Sequence, residues 1–204
     1  MKIIELVIDE LDEDAGIDAI SIVEYPAIEE DFVALSKNKE YKFQEVDTEK
    51  RLLTGALLVP NKPIYRRDGE EEYYIIFSKD TIRKASELYL MRGQQNRATY
   101  EHFKPIDGLT LVESWLVTDK ENDKSNSYGM DLPIGTWMGT VKVNNDQVWE
   151  DFVKTGMVRG FSIEGFFSEK ENDTKSEIEA GLKLLKIKKL LIENEESNKM
   201  KQNG

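Results

Sequence analysis

The ten residues Val158-Arg159-Gly160-Phe161-Ser162-Ile163-Glu164-Gly165-Phe166-Phe167 constrain the chain more than any other stretch. Phe161, Ile163 and Phe167 alternate with Gly160, Ser162 and Glu164, the period of an extended strand with one apolar face. The apolar face must pack on a core. The other face presents one small hydroxyl in a strand bounded by glycines, and Gly160 lets a second backbone approach closely.

Similar short patterns fill the rest of the chain. Strands are predicted over Lys2 to Ile8, Ile17 to Glu24, Lys39 to Asp47, Arg51 to Val59, Glu72 to Phe77, Arg97 to Phe103, Leu109 to Thr118 and Thr136 to Val143. A short helix is expected over Ala27 to Leu35, with Ile28, Phe32 and Leu35 on one face. A clearer helix follows Ser78, whose hydroxyl can cap it. There Ile82, Ala85, Leu88 and Tyr89 recur at helical spacing and Gly93 suits a left-handed stop. Asp146 to Thr155 reads as another helix, stopped by Gly156. Asn61 to Glu71 and Asp119 to Leu132 read as polar loops. From Glu169 the character changes to a charged linker, an amphipathic helix over Glu177 to Glu193 and a polar tail, so residues 1–168 are expected as one domain and 169–204 as an appendage. The expected fold class is α+β, a mostly antiparallel, barrel-like sheet flanked by helices.

Composition narrows the chemistry. A net charge of −12 argues against binding nucleic acid through its backbone. No apolar run approaches the roughly 18 residues of a membrane span. The absence of cysteine removes thiol nucleophiles and thiolate metal sites and suits a reducing, intracellular setting. One histidine, His102 in Ala98-Thr99-Tyr100-Glu101-His102-Phe103, cannot build a two-histidine metal centre. Phosphate-cradling glycine motifs are also missing, so neither cofactor nor metal is expected.

If an imidazole base works here, it is therefore His102. Imidazole ordinarily titrates at about pH 6.5 and is the natural acceptor for a serine proton. Ser162 is the candidate nucleophile, and the backbone amides of Arg159, Gly160 and Phe161 are candidate oxyanion donors. A third group to orient the imidazole could be Glu164, Glu113, Asp107 or Asp18.

The ordered series LLTGALLVPNKPIYRRDGEEEYYIIFSKDTI, ATYEHF, LTLVESWLVTD, GTWMGTVKVNNDQVWEDFVKTG and VRGFSIEGFF resembles phage prohead (capsid maturation) proteases, serine peptidases related to herpesvirus assemblins. The resemblance spans about Leu52 to Ser168 and puts His102 and Ser162 where that family keeps its catalytic pair. Assemblins use a second histidine as third member, which this chain lacks. Ile17 to Ala27 (IDAISIVEYPA) resembles a segment of the form EvSlVtxPA that such proteases carry after the serine. Here it precedes the histidine, implying a circularly permuted order. The third member would then be Asp18, beside the directly aligned Ala19, with Glu164 as the alternative. The resemblance also implies scaffolding or core protein and major capsid protein as substrates, self-cleavage, possible self-association, and a place in the host cytoplasm inside assembling proheads. The rival from another class is a non-catalytic virion or scaffold-binding protein with the same fold.

Overall fold

The computed structural model describes residues 2–9, 11–28, 33–35 (backbone only) and 50–170. By its contacts the chain divides into two units, Met1–Glu169 and Lys170–Gly204. All but the first residue of the second unit lies outside the described residues, as do the strand expected over Lys39 to Asp47 and the amphipathic helix over Glu177 to Glu193.

In chain order the strands of the first half are β1 (Lys2–Val7), β2 (Gly16–Val23), β3 (Val33–Leu35), β4 (Leu52–Leu58), β5 (Ile64–Asp68) and β6 (Glu71–Phe77). Helix α1 (Lys79–Met91) follows, then β7 (Ala98–Tyr100), β8 (Lys104–Pro105), β9 (Leu109–Leu116), β10 (Trp137–Val143), β11 (Gly160–Phe166) and β12 (Ser168–Glu169). They form three four-stranded sheets, ordered β12-β1-β6-β5, β3-β4-β10-β9 and β11-β2-β7-β8.

β4 and β10 run antiparallel at the centre of the second sheet and are apolar nearly throughout, because both of their faces are covered. Trp137, Met138, Leu53, Leu57 and Leu58 there are almost wholly buried. Helix α1 is capped by Ser78, which accepts the Thr81 amide, and buries Ile82, Ala85 and Tyr89 as one stripe. The Tyr89 ring stands edge-on to Trp137 with centroids 5.7 Å apart, and burial pushes its phenol up from the ordinary value. Gly93 takes φ 68° just past the helix, the left-handed stop its position predicts.

Several expectations need correction. The described strands form three sheets and no closed barrel. Val33–Leu35, expected within a helix, is a strand paired antiparallel with Leu52–Thr54. So short a segment gains more from the edge of β4 than from a helix it is too short to sustain. Asn61 to Glu71 is largely a hairpin, with Asp68 opposite Glu71 and Gly69 at φ 59° in the two-residue turn. The helix at Asp146 is one α-turn (Asp146–Val148) that widens into a π-type turn (Trp149–Val153). The loop after Thr118 holds a 3₁₀ turn, Lys124–Tyr128. No helix among the described residues is long and apolar enough to cross a membrane.

Candidate active site

The third sheet carries the site. β2 lies between β11, antiparallel, and β7, parallel, with Ser162 opposite Ser21 and Ser21 opposite Thr99. Directly opposed residues point to the same face, so three hydroxyls from three strands stand in a row. Glu164, two residues beyond Ser162 on that face, is opposite Ala19 and reaches diagonally across β2. Its Oε1 accepts hydrogen bonds from Ser21 Oγ at 2.7 Å and from Thr99 Oγ1, and the two hydroxyl oxygens also touch each other.

His102 was expected in a strand; it sits instead in the tight turn between β7 and β8. The Phe103 amide bonds back to the Tyr100 carbonyl at 3.1 Å, and both central residues are left-handed, Glu101 at φ 51° and His102 at φ 62°. That is the pattern of a type I′ turn, which normally selects Asn or Gly. For residues with a Cβ, such a conformation costs about 1–2 kcal/mol each. The turn is held by its neighbours: the Glu101 amide bonds to the Ile22 carbonyl at 3.3 Å, and a Glu101 carboxylate oxygen accepts the Glu24 amide at 2.7 Å. Strain maintained by surrounding contacts in this way is characteristic of working sites.

The turn hangs the His102 ring over the hydroxyl row. Nδ1 is 3.1 Å from Ser21 Oγ and 3.4 Å from Glu164 Oε1, with the His102 side chain 40% and the Glu164 side chain 30% exposed. A hydroxyl has one proton, and the Ser21 and Thr99 hydroxyls both lie within donating reach of Glu164. With the Ser21 proton on Glu164, Ser21 Oγ accepts from Nδ1–H, the tautomer that leaves Nε2 as the basic nitrogen. Burial pushes the Glu164 carboxyl up, but the Ser21 and Thr99 hydroxyls and the His102 charge outweigh it and hold the group below its ordinary value.

The sequence candidates sort as follows. The structure brings Glu164 to His102. Asp18 is the extra residue of a β-bulge, because pairing steps from Glu164–Ala19 to Gly165–Ile17, and its side chain makes no hydrogen bond or ion pair with a described residue. The bulge also explains Gly165: a Cβ there would lie 2.0 Å from the Gly16 carbonyl oxygen. Glu113 is engaged elsewhere, with Lys124 and Thr140, and Asp107 lies in the turn before β9. Ser162 is on the site face but, among the described residues, its Oγ has no hydrogen-bond partner; a strand separates it from Thr99 and the turn. A cavity of about 400 Å³ borders β11 at Phe161, Ser162 and Ile163, walled opposite by Ile4, Ile75 and Phe77. Ser162 is 8% exposed, whereas Ser21 is fully buried and does not reach that space. Of the expected oxyanion donors, the Arg159 amide is already bonded to the Val23 carbonyl at 2.8 Å. Sequence reasoning missed Ser21 and Thr99. The available signal was a hydroxyl inside the apolar run IDAISIVE, since a buried polar group needs a partner.

Among the described residues no group of three or more acidic or histidine side chains is placed to hold a metal ion. In comparisons with known proteins, a family model described as "Putative phage serine protease XkdF" matches residues 41–171, a span that includes His102, Ser162 and Glu164 and leaves out β2. No curated protein and no solved structure matches the chain.

Proposed function

The chain belongs to that family of phage serine proteases, and from this premise we propose that it is a serine endopeptidase of prohead maturation, with Ser162 as nucleophile, His102 as general base and Glu164 as the carboxylate that orients it. The observation that carries the reading is the His102–Glu164 contact at Nδ1, on the same sheet face as Ser162. With the proton on Nδ1, Nε2 takes the Ser162 proton as Oγ bonds to the scissile carbonyl carbon. Nε2 then returns that proton to the leaving amine as the peptide C–N bond breaks. Water, deprotonated by the same nitrogen, hydrolyses the acyl-enzyme. Ser162 and His102 are not hydrogen-bonded in the free chain, and catalytic hydrogen bonds are often long in free enzymes.

The β2 segment supports a permuted arrangement. Ala19 holds the position where the resembling segment carries its acidic residue, and Glu164 stands directly opposite it on β11. The carboxylate is on the neighbouring strand, yet it serves the same ring. Scaffolding or core protein and the major capsid protein are the proposed substrates, met inside the assembling prohead in the host cytoplasm, with self-cleavage at the end.

A second reading, a non-catalytic virion or scaffold-binding protein, is favoured by the missing Ser162–His102 hydrogen bond. Co-expression with the scaffold or capsid partner separates the two, comparing wild type with Ser162→Ala and His102→Ala by intact mass. Cleavage in wild type alone is the expected result. Equal processing in all three removes the peptidase.

A further inference from the structure

The peptidase reading needs the proton on Nδ1, and the two hydroxyls beneath Glu164 are the groups placed to keep it there. We infer that Ser21 and Thr99 are positioning residues, whose hydroxyls fix the Glu164 carboxylate and hold the His102 ring as its Nδ1–H tautomer. The inference rests on the peptidase reading for its consequence but on contacts alone for its geometry.

Glu164 comes from an edge strand and must reach across β2 to meet a ring carried on β7's turn. A glutamate has three side-chain torsions to fix, and it is 30% exposed, so water competes for its oxygens. Two hydroxyls from the two intervening strands remove that freedom. Ser21 is fully buried in β2, where the sheet locks its rotamer, and it donates to Oε1 at 2.7 Å. Thr99, from β7, donates to the same oxygen, and its β-branch leaves it few rotamers. Both protons converge on one oxygen, so that oxygen is pinned on the side of the ring. Ser21 then does a second task. With its proton on Glu164, its lone pairs face Nδ1 at 3.1 Å, nearer than the carboxylate at 3.4 Å. Ser21 is thus the main acceptor for the Nδ1 proton, and the carboxylate acts on the imidazole partly through it. A bare apolar strand in this place would leave the ring free to take the opposite tautomer, with the basic nitrogen turned from the nucleophile.

The chain's single histidine makes the test unambiguous. The ¹⁵N shifts of the neutral His102 ring report its tautomer in the full-length protein. A fluorophosphonate reports the nucleophile: Ser162 Oγ bonds to phosphorus, fluoride leaves, and the serine proton passes through His102 to buffer. Wild type is expected to show the Nδ1–H form. Ser21→Ala and Thr99→Val should each shift the ring away from that form and slow labelling by about tenfold, the loss of one hydrogen bond to a charged group. Thr99→Ser, which restores the hydroxyl, should recover most of both. An unchanged tautomer in Ser21→Ala overturns the inference, even if labelling slows, since the residue would then be only structural. A tautomer that shifts as expected in a protein whose wild type is never labelled upholds the hold on the ring and sinks the Ser162 reading instead.

Discussion

Two carboxylates in this protein are dressed almost identically, and only one of them sits at a site suited to chemistry. Glu164 on β11 takes hydroxyls from β2 and β7 and a basic ring beyond them. Glu113 on β9 takes the Thr140 hydroxyl of β10 at 2.7 Å, Thr140 is in turn 3.0 Å from Thr54 on β4, and Lys124 adds its ammonium at 2.6 Å. In each case three adjacent strands line up polar side chains on one face, and the carboxylate is on the outermost. The difference lies in the cation and how it is delivered. Lys124 is a flexible, permanently charged group that also lies over the Trp115 ring at 5.0 Å, tying the 3₁₀ turn onto the second sheet. His102 carries an imidazole, the side chain most often used as a general base, on a turn with two left-handed residues. Strain and an imidazole partner, rather than hydrogen bonds to a carboxylate, are what distinguish the proposed site from the Glu113 cluster.

That contrast makes opposite demands on the two clusters. His102→Ala should slow labelling of Ser162 by at least about 10⁴-fold, the loss expected when a triad base is removed. His102→Gly should lose the same activity yet raise stability by about 1 kcal/mol in a urea melt, because glycine relieves the left-handed φ. A variant that loses both activity and stability would show the turn to be structural after all. Next in size, Glu164→Gln should slow labelling by on the order of 10²–10⁴-fold while unfolding almost as wild type does. Glu113→Gln, run beside it, should label at the wild-type rate. If Glu113→Gln falls as far as Glu164→Gln, the two clusters are not functionally distinct.

Why some of this was legible and some not follows from the range of the forces involved. The Ser162 strand, helix α1 with its Ser78 cap and Gly93 stop, and the apolar β4 and β10 announce themselves through spacing along a few residues. The Ser162 and His102 pair could be singled out because the composition offers one imidazole. Ser21 and Thr99 could not, since β2 and β7 pair parallel across some eighty residues and their register is a property of the whole sheet. Asp18 was the acidic residue nearest the aligned Ala19, and it falls at a one-residue bulge that local sequence does not announce. The His102 turn carries Glu-His where an Asn-Gly would have signalled it, so a strand was the better local guess. At Asp68-Gly69 the turn signature was present, and the flanking charges of IYRRDGEEE concealed the hairpin.

The structural cluster should show itself in stability. Glu113→Ala leaves Thr140, which is 1% exposed, with Thr54 as its remaining partner, and removes the anchor of Lys124. Exposed ion pairs contribute little, so the expected loss is about 1 kcal/mol in a urea melt, chiefly from the Thr140 hydrogen bond. A loss above about 3 kcal/mol would mean that Glu113 anchors the segment after Thr118 as well as the sheet.

The smallest effect is one of pH, and it distinguishes how the two carboxylates are held. Both titrate below their ordinary value in the folded chain. For Glu113 the Lys124 hydrogen bond is the largest cause, joined by Thr140 against the opposing effect of burial. For Glu164, burial is the largest single influence and pushes up, so its depression is what remains after Ser21, Thr99 and His102 outweigh it. A carboxyl depressed on folding contributes stability that is fully present above the unfolded value, about 4.3 for glutamate, and that disappears as pH falls through the lower folded value. Urea midpoints followed downward from about pH 5 should therefore fall less steeply in Glu113→Gln than in wild type. Glu164→Gln should flatten the same acid limb, because its carboxyl is also held below the ordinary value on folding. Should Glu164→Gln leave the acid limb unchanged, the Ser21, Thr99 and His102 contacts do not outweigh burial, and the distinction between strut and proposed site would have to rest on the strained turn alone.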